Sequence, residues 1–224
     1  MDKITVKKLI DFRNKSERSK KTFANNLKQD KKSENASGGD YWISSLSTIS
    51  NIFKTNNTDL FADKIELLYN KIENSEDKRT KLMFQRNIDI LYSFEDFDFH
   101  NIKPNLDLEF LKKPESKSII DIQGFPIHVK PNHVFTFHNN GNYEIGAIWF
   151  IAKLQGYKRV ELGMFADVLY RYLTKNYSKD YSVNLSYCCA VDVSNGHDVN
   201  YTNIQKGEIP ILIDQTIEDI KTTK

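Results

Sequence analysis

Cysteine is nearly absent. The only two among 224 residues, Cys188 and Cys189, are adjacent within an apolar run. With no C-x-x-C and no second pair, a thiolate zinc site is excluded, and the two read as small buried hydrophobes of a reducing compartment. Long apolar runs are missing too. No stretch approaches the roughly 18 to 20 uninterrupted apolar residues that a membrane span needs. The opening MDKITVKKLIDFRNKSERSKK lacks the apolar core of a signal peptide, so the expectation is no membrane and a cytoplasmic address. Neither G-x-x-x-x-G-K-S/T nor G-x-G-x-x-G occurs, which leaves nucleotide binding through those loops without support. No serine or cysteine stands in a recognisable nucleophile setting.

What is present is enough for a full core. Hydrophobic residues make up 39% and charged residues 28%, the balance of a globular chain of one large domain or two small ones. Its 14 Phe and 11 Tyr supply much of the core volume. The net charge of +2 conceals an asymmetry. Residues 1–32 hold eleven Lys and Arg against four Asp and Glu, a net of +7, which leaves −5 for the rest. Such a segment suits a phosphate backbone or an acidic protein surface, with Lys7, Lys8, Arg13, Lys20 and Lys21 as the contacts. The plain alternative is a solvated tail.

Periodicity divides the chain into a basic helical arm and linker (1–40), a helical region (41–100) and an α/β core (101–224). Val6, Leu9, Ile10, Phe23 and Leu27 predict one or two amphipathic helices over 5–28. QDKKSENASGGD, 29–40, has linker composition. Trp42, Leu46, Ile49 and Phe53 predict a helix over 41–53 with Asp40 as its N-cap. Further helices are expected over 59–73 and 76–94, packed as an antiparallel pair. Beyond residue 100 the period becomes that of strands: LDLEFL near 106–111, then 118–123, and 126–137 with a bulge or bend at Pro131. HNNGN contains an Asn-Gly turn leading into YEIGAIWFIAKL, whose continuous apolar run indicates a strand covered on both faces. A helix over 161–173, the strand YCCAVDV, a turn at Asn195-Gly196 and a terminal helix over 213–221 complete the chain. The fold class expected is α+β, a helical N-terminal half followed by a mixed-sheet core.

The order strand, strand, strand, helix, strand, together with FIAK and the following VELGMFADVLYRYL, resembles the PD-(D/E)XK nuclease superfamily in its RecB-type branch, over about residues 118–193. The resemblance implies an aspartate opening the second core strand, an acid-x-lysine triplet in the third, and acids that hold Mg²⁺ or Mn²⁺. Here GFPIHVKPNHVF offers Asn132 and His133 where the aspartate is expected. Lys153 is present, but Ile151 occupies the acid position. Two readings follow: a vestigial site with Lys153 as a phosphate contact or a plain strand-end lysine, or a relocated acid. Glu161 is the candidate for the second, with Glu144 or Asp96 and Asp98 as outsiders.

FEDFDF, 94–99, reads as a helix end with aromatics inward and Glu95, Asp96 and Asp98 outward. His128, His133 and His138 recur at odd spacing, which puts neighbours on opposite faces of a strand and argues against a shared metal. Asp192, an acid in an apolar strand, must be paired, hydrogen-bonded or at the sheet margin, and the turn two residues later makes the margin the simplest reading. The functional expectation is a nucleic-acid-associated, non-catalytic protein without cofactor, in a setting that the resemblance implies to be DNA processing or defence against foreign DNA. The alternatives are a Mg²⁺- or Mn²⁺-dependent nuclease with a relocated acid, and an interaction subunit or inhibitor that docks an acidic protein.

Overall fold

The computed structural model describes residues 3–28 and 41–223. A short strand β1 (Ile4–Thr5) runs into helix α1 (Val6–Arg13), and α2 (Glu17–Lys28) follows. Three helices come next: α3 (Ile43–Thr55), α4 (Asp59–Glu73) and α5 (Lys78–Glu95). Then come strands β2 (Glu109–Phe110), β3 (Ile119–Ile122), β4 (Phe125–His128), β5 (His133–Asn139) and β6 (Asn142–Ile151). Helix α6 (Arg159–Tyr177) separates β6 from β7 (Ser182–Asp192). The chain ends with β8 (His197–Asn200), α7 (Tyr201–Gln205) and α8 (Ile213–Thr222). This is the α+β layout the periodicity predicts. No helix among the described residues is long and apolar enough to cross a membrane.

Two sheets form. The larger has the order β2-β5-β6-β7-β8, with only β6 and β7 parallel, joined by the α6 crossover. The smaller has the order β1-β4-β3. The expected single strand over 126–137 is therefore two strands in two different sheets, because Pro131 lacks the N–H a continuous ladder would need. Within residues 118–193, four strands (β3 to β6), not three, precede the crossover helix. The β5–β6 hairpin turns through Asn140 and Gly141, whose φ values of 49° and 86° are the left-handed pair such a tight turn requires.

The large sheet is buried on both faces, and strand alternation decides which face each residue meets. Ile145 and Ala147 of β6, with Cys188 and Ala190 of β7, pack under α6, α1 and α8. Ile148, Phe150, Cys189 and Val191 point the other way, towards α3, α4 and α5. The adjacent cysteines thus belong to opposite cores, and burial pushes both thiols up from their ordinary range.

The basic segment is not a free-standing arm over residues 4–12. Ile4 pairs in parallel with Ile127, and Val6, Leu9, Ile10 and Phe12 are buried in the same core as α6 and α8. The predicted N-cap Asp40 lies outside the described residues. Trp42 at the N-cap of α3 provides no side-chain bond. Instead Asn87 of α5 accepts from Ser45 N at 3.0 Å and Ser45 Oγ at 2.9 Å, and donates to Tyr41 O and Met83 O, both at 2.8 Å. One buried amide thereby does for α3 what a local cap does elsewhere.

Candidate functional site

Lys153 stands just past β6, where the parallel strands end beside the first turn of α6. A set of short-range contacts builds this corner. Ile151 and Asp192 lie side by side across the β6–β7 pair. Asp192 is completely buried, and its Oδ2 accepts from Tyr157 N at 2.6 Å and Asn195 Nδ2 at 3.3 Å, while Oδ1 accepts from Ser194 N at 3.0 Å. Ser194 Oγ donates to Lys153 O at 3.1 Å. Gly156, with φ +71°, bends the loop so closely against Asp192 and Asn195 that no side chain fits there.

The Lys153 ammonium reaches Glu161 Oε1 at 3.7 Å and lies 5.2 Å from the centre of the Tyr157 ring. Glu161 is 6% exposed. Its Oε1 also accepts from Asn14 Nδ2 at 2.7 Å, and its Oε2 accepts from Lys158 N at 2.9 Å, which satisfies a backbone donor at the start of α6. Burial raises the Tyr157 phenol, with Asp11, Asp192 and Glu161 adding to the effect. A cleft of about 170 Å³ opens beside this corner, with Arg13, Asn14, Lys158 and Glu161 among its walls.

Lys153 and Glu161 therefore meet, but Asn132 does not join them. Its Oδ1 accepts from Phe150 N at 2.7 Å, extending the β5–β6 ladder past Pro131. Glu144 sits near the far end of β6, bonded to Asn139 and Asn184, about 30 Å along the strand from Lys153. Asp98 is engaged by the His100 backbone and ring, which hold its carboxyl below the usual range. In FEDFDF, Phe94 is buried and Phe97 stacks on it at 4.4 Å, with Glu95, Asp96 and Asp98 outside. The histidines diverge: His138 meets Tyr143, His128 lies 3.7 Å from Glu115, and His133 is bonded to Ser50. Among the described residues no three His, Cys, Asp or Glu side chains converge for a metal.

The donor set does not fit the Mg²⁺ or Mn²⁺ that the resemblance implies. Ile151 is apolar, the Asn132 oxygen is committed to the sheet, and the Glu161 oxygens accept from Asn14 and Lys158. Among the basic residues, Lys7 and Lys21 are exposed and Lys8 is half-buried. Arg13 donates to Thr216 Oγ1 at 3.1 Å, and Lys20 pairs with Glu17 at 2.7 Å. Asn14 and Tyr157 carried no sequence signal, since each acquires its place only from a partner distant in the chain or buried beneath it. No family model, curated protein or solved structure matches this chain.

Proposed function

We propose that the protein binds nucleic acid through phosphate contacts and does not cleave it. The observation that carries this reading is the seating of α1. Val6, Leu9, Ile10 and Phe12 hold the helix in the core, so Lys7, Lys8 and Arg13 are presented from a rigid frame. Lys21 extends the same charge onto α2, and Lys153 and Lys158 place further cations beside the cleft that Arg13 lines. Phosphate contacts of this kind position a protein on nucleic acid without reading bases. The absence of cleavage in the proposal follows from the commitments of Asn132 and Glu161, which leave Lys153 as a charge without a free carboxylate partner.

Deleting the basic segment is not a usable test, because it removes core residues. Charge reversal of exposed residues is. Lys7→Glu with Lys21→Glu is expected to weaken binding of a fluorescent 20-base-pair DNA on the order of tenfold at 50 mM salt, by anisotropy. Unchanged affinity overturns the proposal. Incubation with Mn²⁺ is expected to leave DNA and RNA intact for wild type and Lys153→Ala alike. Cleavage by wild type that Lys153→Ala lacks would replace the proposal with a metal-dependent nuclease.

A further inference from the structure

Three lysines from three separate parts of the chain surround one half-buried histidine on the side of the sheet that carries α3. Lys54 lies in the last turn of α3, Lys103 between α5 and β2, and Lys113 follows β2. At their centre, His133 stacks on Phe53 at 5.8 Å and meets the Phe110 edge at 5.1 Å. The Lys54 ammonium lies 5.7 Å from the centre of the Phe110 ring, and that of Lys103 lies 5.1 Å from the Phe53 ring. Lys113 Nζ donates to Pro131 O at 2.9 Å and to Asn132 O, next to His133 in the chain.

Like charges gathered in this way repel one another, and among the described residues none of the three is paired with a carboxylate. Lys103 uses two N–H groups on Phe53 O and Asn56 Oδ1, both at 2.6 Å, and Lys113 uses two on its carbonyls. Each ammonium has three N–H groups, so one is left on each of these and three are left on Lys54. Burial lowers the Lys103 and Lys113 ammoniums, and Lys54 lowers Lys113 further. Burial also takes His133 to about 4, with Lys113, Lys54 and Lys103 acting in the same direction and the Ser50 carbonyl opposing them. Both Ser50 O and Ser50 Oγ lie 2.8 Å from Nε2. A carbonyl only accepts, so Nε2 carries the proton of the neutral ring.

From this convergence we propose that Lys54, Lys103 and Lys113 form a phosphate-binding site over the Phe53–His133–Phe110 stack, separate from the basic face of α1. A phosphate group accepts from several ammonium donors at once and cancels their mutual repulsion. The source is a nucleic-acid backbone or a free phosphate compound, and the first of these rests on the function proposed above.

His133 is a built-in reporter. An anion among the lysines favours imidazolium, so occupancy raises the His133 pKa from about 4. The His133 Hε1 resonance is followed from pH 3.5 to 7 in the intact protein, alone, with inorganic phosphate, and with a 12-nucleotide thymidine oligomer at matched ionic strength. A rise of half a unit or more with either probe supports the site, and Lys54→Gln, which removes an exposed side chain, is expected to at least halve it. A rise with phosphate but none with the oligomer assigns the site to free phosphate and leaves the basic face of α1 to stand or fall alone. Oligomer that binds by anisotropy while neither probe moves His133 overturns the site and retains nucleic-acid binding. No movement with either probe also overturns it.

Discussion

Replacing Gly156 by alanine is expected to destabilise the protein by about 2–4 kcal/mol. A Cβ at this position would stand 2.6 Å from Asp192 Oδ2 and nearer still to Asn195 Nδ2. Two costs combine. A side chain in the left-handed region, at φ +71°, costs about 1–2 kcal/mol. Displacing the Asn195 amide removes one of three donors from a fully buried carboxylate, which adds about 1–2 kcal/mol. Urea unfolding of Gly156→Ala, Asn195→Ala and the double variant separates the two, because Asn195→Ala removes the nearer obstacle and leaves the backbone term together with the close approach to Asp192. The double variant should then be more stable than the sum of the single costs by about 1–2 kcal/mol. A single cost below about 0.5 kcal/mol, or full additivity, would refute the account of how Asp192 holds the Lys153 loop.

Asn87→Ala leaves Ser45 N and the Tyr41 carbonyl without their partner and should cost about 2–4 kcal/mol in urea unfolding, although the substituted residue lies in α5 and not in α3. His133 contributes a pH dependence. Its folded pKa of about 4 lies below the unfolded value of 6.5, so the unfolded chain binds the proton first as pH falls. This contribution is complete above about pH 6.5 and is lost towards pH 4, an effect of about 2–3 kcal/mol once partial exposure is allowed for. His133→Phe should flatten the stability profile across that window, and an unchanged slope would contradict the assignment. Arg171 bridges Asp167, at 3.0 Å, and Asp214, at 2.5 Å. Burial already raises the Asp167 carboxyl, so Arg171→Met, which leaves that group unpaired, should cost about 3–5 kcal/mol by thermal or urea unfolding.

Much of the fold was legible because it is encoded within a few residues. The apolar spacing of Leu60, Phe61, Ile65 and Leu68 predicts α4, and the Asn-Gly pair at 140–141 predicts the hairpin. The continuous run before Lys153 predicts a strand with two covered faces, as the opposed cores around Ile145 and Ile148 bear out. Pro131 announced an interruption, but a local signal cannot say that the two halves join different sheets. The bend became a change of sheet because β4 found β1, more than 120 residues earlier in the chain.

The candidate site was less legible, since its contacts are almost all long-range. FIAK and VELG make Glu161 only a candidate relocated acid for Lys153, and the two meet across one strand-to-helix loop. Asn14 comes to Glu161 across 147 positions, and nothing in the string around it indicates so. The resemblance makes Asn132 a replaced metal ligand, whereas backbone geometry after a proline gives it a ladder bond. The lysines around His133 come from three separate parts of the chain, so no window of sequence holds them together.

The most direct test of nucleic-acid binding is its salt dependence, measured by anisotropy of a labelled 20-base-pair duplex with the wild-type protein from 50 to 200 mM salt. Four or more phosphate contacts predict that log K falls linearly with log salt, with a slope of about −3.5 or steeper. A flat response, or no binding at 50 mM, would contradict the account.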